Sequence, residues 1–162
     1  MPGRAELVGR ERELAELLSA LRAGRGGLFL IGGEPGIGKT RLADELADRA
    51  RGLGATVAWG SAWDDGGAPA YWPWIQVLRA LRAVAPAPDE RLRRDLGPLW
   101  DPDVAAGDGD PELLRFRRFD ALRAVLAAAA ARAPLVVVPG THFFLQEDSA
   151  RAAALVREHL TW

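Results

Sequence analysis

One octet of this chain has the residue types and spacing of a phosphate site. Gly33-Glu34-Pro35-Gly36-Ile37-Gly38-Lys39-Thr40 reads G-x-x-x-x-G-K-T, the P-loop pattern. The chain has 20 arginines and 1 lysine, and that lysine is Lys39. Gly33, Gly36 and Gly38 allow φ > 0 and let the backbone approach an anion with no Cβ in the way. The loop amides then converge into an anion nest. A helix starting near Lys39 adds its N-terminal amides and dipole to the same place. Lys39 brings a compact ammonium to the β and γ phosphates, a task less suited to arginine's planar fork. Thr40 offers a hydroxyl to Mg²⁺, and Arg41 follows it in the first helical turn. The expected ligand is ATP or ADP with Mg²⁺, held along residues 33–41. The competing reading is an ordinary glycine-rich turn between a strand and a helix.

The elements that must position this loop can be read on both sides of it. Leu28-Phe29-Leu30-Ile31 is a continuous apolar run between glycine pairs, the pattern of a strand buried on both faces. After the loop, Leu42, Ala43, Leu46, Ala47 and Ala50 recur at helical spacing, with Asp44, Glu45, Asp48, Arg49 and Arg51 opposite them. Gly52 and Gly54 are expected to stop that helix. Upstream, Leu14, Leu17, Leu18 and Leu21 form the apolar stripe of a helix over residues 11–22. Downstream, residues 55–59 read as a second strand. Residues 74–84 read as a helix broken by Pro86 and Pro88, and residues 90–96 as a short helix. Residues 98–109 look irregular. Asp110-Pro111-Glu112 is a helix start, with Asp as N-cap and Pro in the first turn. That helix is expected to reach about Arg132 and to bury Leu113, Phe116, Leu122, Val125 and Leu126. Leu135 to Val138 reads as a buried strand and residues 147–160 as a last helix. Strands alternating with helices predict an α/β fold, a P-loop-type parallel sheet flanked by helices.

Composition sets the outer limits. The chain has 162 residues, enough for one domain with a real core. Its formal net charge of −1 gives no global reason to bind nucleic acid or an anionic membrane. It has no cysteine and 2 histidines, so thiolate and histidine metal sites are not expected. Residues 1–12 are polar and charged and offer no apolar leader, and no apolar run reaches membrane-spanning length. The cytoplasm is the expected location.

Five of the 6 tryptophans fall between Trp59 and Trp100. They could form a platform for an adenine ring or a partner; packing of a lid or subdomain on the sheet is the plainer reading. Asp101, Asp103, Asp108 and Asp110 miss the spacing of an EF-hand loop and read as a solvated turn.

Leu7-Val8-Gly9-Arg10-Glu11-Arg12-Glu13 resembles the box that precedes the P-loop in STAND and related AAA-like ATPases. Gly60-Ser61-Ala62-Trp63, followed by Ala68-Pro69-Ala70-Tyr71-Trp72-Pro73-Trp74, resembles ATPase domains of large LuxR-type transcriptional regulators. The likeness covers about residues 7–133. It implies that Val8, Gly9 and Arg10 flank the adenine; the plainer reading of Arg10 is a charge at a helix start. In such proteins the next strand ends in two acids, one helping to hold Mg²⁺ and a neighbour orienting the attacking water. Here Pro139-Gly140-Thr141 follows the strand, so an ungapped match puts Gly140 and Thr141 at those positions. Glu147 and Asp148 are too far on to replace them without a rearranged loop.

Residues 134–162 resemble the C-terminal stretch of haloalkane dehalogenases of the α/β-hydrolase fold, with His142 matching their catalytic base. No G-x-S-x-G elbow or nucleophilic Asp precedes it, so His142 as a plain loop residue is the alternative. The sequence therefore divides into residues 1–133, the N-terminal part of a P-loop ATPase domain, and residues 134–162, a strand–loop–helix tail of possible separate origin, with the sheet incomplete after its third strand. The functional expectation is a nucleotide-binding module of a signalling or transcription-regulatory ATPase. Its alternatives are a working ATPase whose acid comes from Asp64, Asp65, Asp120 or a partner chain, and a hydrolase remnant centred on His142. Partners beyond nucleotide would be another protein or a second copy, docked on an exposed sheet edge or apolar face.

Overall fold

The computed structural model of the chain describes residues 9–24, 29–62, 68–104 and 108–140. Val8, Trp63, Asp64, Asp65, His142 and the helix expected over 147–160 lie outside the described residues. Helix α1 (Glu11–Arg22) is followed by α2 (Lys39–Gly52), strand β1 (Thr56–Ser61), α3 (Trp72–Leu81), α4 (Glu90–Leu96), a 3₁₀ turn (Gly97–Leu99), α5 (Pro111–Ala130) and β2 (Leu135–Gly140).

β1 and β2 pair in parallel, from Thr56 opposite Leu135 to Ser61 opposite Gly140. Parallel neighbours need a crossover, and α3 to α5 supply it. The alternation of side chains along β2 separates two helical layers. Val136 packs with Ile31 against Leu14, Leu18, Leu42 and Leu46 of α1 and α2. Leu135 and Val137 pack on the other face, with Ala58, Val77, Leu81 and Ala129. A further cluster of Ile75, Leu78, Leu96, Leu99, Ala121, Leu122 and Val125 joins α3, α4, the 3₁₀ turn and α5. Trp72, Trp74 and Trp100 pack against that cluster, in keeping with their plainer reading. The Arg82 guanidinium lies 4.8 Å from the Trp100 ring centroid, a cation–π contact.

Four expectations are corrected. The run ending at Ile31 is not a strand over its described residues 29–31. Phe29 is 46% and Leu30 52% exposed, and only Ile31 reaches the α1–α2 layer. Among the described residues β2 is paired only with β1, so this run has no ladder to join. Helix α3 starts two residues earlier than expected, at Trp72, because Pro73 fits a first turn that needs no donor. It ends at Leu81, with residues 82–84 in turns. The stretch after residue 96 contains a 3₁₀ turn. Finally, Leu113 and Phe116 are exposed, not buried. They are nine and six residues before Leu122, which turns them toward the far side of a helix with 3.6 residues per turn. Leu114 and Arg118 share the inner side instead.

Candidate functional site

The loop of residues 33–38 leads directly into α2. Gly33, Gly36 and Gly38 have φ of 149°, 81° and 96°, conformations that L side chains rarely adopt. The Ile37 side chain folds back over Gly33, 3.0 Å from where a Cβ would stand. Ile37 N–H donates to Glu34 O at 3.3 Å, and Leu42 N–H to Gly38 O at 3.0 Å.

Lys39 closes the loop. Its Nζ donates to Gly33 O at 2.7 Å and to Glu34 O at 2.9 Å. An ammonium has three protons, so two brace the loop and one is left for an incoming anion. The helix start beside it is equally open. Gly38 is the N-cap of α2, no side chain caps it, and no acid occupies the first turn. α4 and α5, by contrast, are capped by Asp89 and Asp110. The first amides of α2 are orphan donors at the positive end of a helix dipole, a place that favours an anion. Thr40 is exposed in the same turn.

The packing of α1 on α2 brings a second cation to the loop. Arg10, the N-cap of α1, lines a recess of ≈ 10 Å³ together with Ile31, Gly32, Ile37, Gly38, Lys39 and Leu42. That volume is about one water, so a nucleotide would lie over the loop and not inside this recess. Arg10 Nη1 also donates to Glu13 Oε1 at 2.9 Å. Gly9, at φ 78°, donates its N–H to Glu11 Oε1 at 2.9 Å. Both glutamates are held below the usual carboxylate range. The largest cause is in each case its own backbone N–H; Gly9 N–H adds to it at Glu11 and the Arg10 side chain at Glu13. Arg41 Nη2 lies 3.8 Å from Glu45 Oε2.

Sequence reasoning picked out Gly9, Arg10 and residues 33–41, and the structure brings Arg10 against Gly38 and Lys39. The lining also includes Ile31 and Leu42, whose apolar character pointed only to core, and Gly32, which read only as the boundary of the apolar run. Of the carboxylates considered for a metal, Asp120 lies on α5 and meets Arg123 at 3.0 Å. α5 packs on the sheet face opposite to α2. Among the described residues no group of three His, Cys, Asp or Glu could hold a metal ion, and no helix is long and apolar enough to cross a membrane.

The AAA ATPase domain family matches residues 6–159 of the chain. No curated protein matches it, and no solved structure does.

Proposed function

This chain belongs to the AAA ATPase domain family and is thus an ATP-binding P-loop module, and on that footing we propose that residues 33–41 hold ATP or ADP with Mg²⁺ and that turnover is slow or absent. The observation that carries the reading is Lys39: an ammonium braced on two loop carbonyls beside an uncapped helix start. The α2 amides and the third ammonium proton would meet the β and γ phosphates. Thr40 Oγ1 would take Mg²⁺, and Gly9 and Arg10, with Val8 before them, would border the base.

The support for slow turnover is the end of β2. The strand reads Leu135-Val136-Val137-Val138-Pro139-Gly140 and contributes no carboxylate. Phosphoryl transfer to water needs a group that holds Mg²⁺ and one that orients the nucleophile. Asp120, the one described candidate, is committed to Arg123. A module that binds nucleotide without consuming it suits a signalling or transcription-regulatory ATPase. The support for that role is the likeness of residues 60–63 and 68–74 to LuxR-type regulators.

The test is calorimetric titration with Mg-ATP and Mg-ADP of the parent and Lys39→Ala. One lost charge-assisted hydrogen bond is worth about 1.5–3 kcal/mol, or about 10- to 150-fold in affinity. The variant is expected to fold, by circular dichroism, and to bind that much more weakly. Equal affinity in a folded variant would remove the site assignment. Phosphate release by the parent at rates of about 1 s⁻¹ or more, ordinary for enzymes, would remove the claim of slow turnover.

A further inference from the structure

α4 and the turns that follow it enclose a recess remote from the phosphate loop. Glu90, Arg93 and Arg94 stand at i, i+3 and i+4 and so share one face of α4. Gly97, at φ 50°, ends the helix and turns the chain. Trp100 and Asp101 N–H both donate to Gly97 O at 3.0 Å, and Val104 N–H donates to Asp101 O at 3.1 Å. These turns bring Trp100, Asp101 and Val104 back beside the same face. Together these residues line a recess of ≈ 270 Å³. α4 packs with α3 and α5, on the side of the sheet away from α1, α2 and the phosphate loop.

The lining offers three kinds of contact. Among the described residues, Glu90 and Arg94 make no ion pair and no side-chain hydrogen bond, with each other or elsewhere. Arg93 Nε donates to Pro88 O at 2.9 Å, which leaves both terminal nitrogens of its fork. Asp101 Oδ1 accepts from Asp103 N–H at 3.1 Å, which leaves Oδ2. The neighbouring Arg91 and Asp95 are paired with each other at 3.7 Å and take no part in the lining. Trp100 and Val104 supply apolar surface. Trp100 is held from behind, by the α3–α5 cluster and by the Arg82 guanidinium 4.8 Å from its ring centroid.

We propose that this recess binds a free α-amino acid with an apolar side chain. The ligand carboxylate meets the forks of Arg93 and Arg94, whose planar geometry suits carboxylate oxygens. The ligand ammonium meets Glu90 and Asp101. The ligand side chain lies on Trp100 and Val104. The pairing of charges carries the argument. Guanidiniums alone would take any anion, and carboxylates alone any cation. Both signs in one recess, beside apolar surface, suit a ligand that carries both charges next to an apolar group. Size agrees: ligand pockets run from about 300 to 1,000 Å³, and a recess just below that range holds a single small metabolite.

The test is saturation-transfer NMR of the full chain with L-leucine and L-phenylalanine as probes. At least one is expected to bind saturably, with a Kd on the order of 1 mM or tighter. Arg94→Gln and Glu90→Gln change exposed residues and are expected to fold, by circular dichroism. Each should weaken binding about tenfold, the scale of one charge-assisted hydrogen bond. The parent is also titrated with the N-acetyl and the amide derivative of the bound probe, which remove its ammonium and its carboxylate in turn without touching the fold. Each derivative is expected to bind about tenfold more weakly. Absence of saturable binding by both probes overturns the proposal, as does parent-like affinity in either folded variant. Undiminished binding of the N-acetyl derivative also overturns it, and would assign the recess to a lone carboxylate such as a peptide C-terminus.

Discussion

Replacing Gly60 by alanine tests how the sheet carries α3. Gly60 is buried near the end of β1. A Cβ at this position would stand inside contact distance of the Pro73 carbonyl oxygen, 2.8 Å from its carbon and 3.0 Å from Pro73 Cα. Ordinary contact begins at 3.4 Å, so the carbonyl oxygen, the nearest of the three atoms, must retreat by about 1 Å. The obstacle is main chain at the first turn of a helix, not a side chain that can rotate aside. Lifting that turn loosens Val77 and Leu81 from Ala58. Two effects compete. Gly→Ala in unstrained backbone stabilises by about 0.4–1 kcal/mol through the unfolded state, whereas overpacking costs about 1–3 kcal/mol. With backbone as the obstacle the cost falls toward the upper end, leaving a net loss of about 2 kcal/mol. For a chain of this size that is a fall in Tm of about 4–8 °C, read by circular dichroism and urea titration. Gly52→Ala is the control. Gly52 ends α2, nothing lies within 4 Å of its added Cβ, and the change should be neutral or stabilising by up to about 1 kcal/mol. If Gly60→Ala proved as stable as the parent, the close approach of α3 to β1 would not hold and the reasoning would fail.

Three further outcomes are expected. Gly38→Ala meets no steric obstacle, but its φ of 96° should cost about 1–2 kcal/mol and lower nucleotide affinity; an unchanged affinity by calorimetry would show that the loop conformation does not matter to binding. Asp110→Ala removes the side-chain acceptor for Glu112 N–H at 3.0 Å and should cost about 1 kcal/mol in urea titration, with nucleotide affinity unaffected; no loss of stability would contradict the cap. Glu11 and Glu13 are both lowered from 4.5, so their stabilising contribution is complete above that pH and disappears as pH falls through the lower folded-state values; NMR titration midpoints at or above 4.5 for either would refute the hydrogen bonds assigned to it.

What the sequence determined by itself is what a few adjacent residues can settle. The phosphate loop is eight consecutive residues, and its chemistry is local to them. The structure gives the three expected positive φ values and starts α2 at Lys39, where the sequence placed a helix start. Caps and breakers act over three or four residues, so α1, α4 and the start of α5 at Asp110 were equally legible. What only the tertiary structure decided depends on partners distant in sequence. Arg10 reaches Gly38 and Lys39 because Leu14 and Leu18 pack on Leu42 and Leu46. The run ending at Ile31 had the pattern of a buried strand, but a strand exists only where another can pair with it. The outward turn of Leu113 and Phe116 was set by which side of α5 met α3 and α4, and apolar composition, being present on both sides of that helix, could not choose between them.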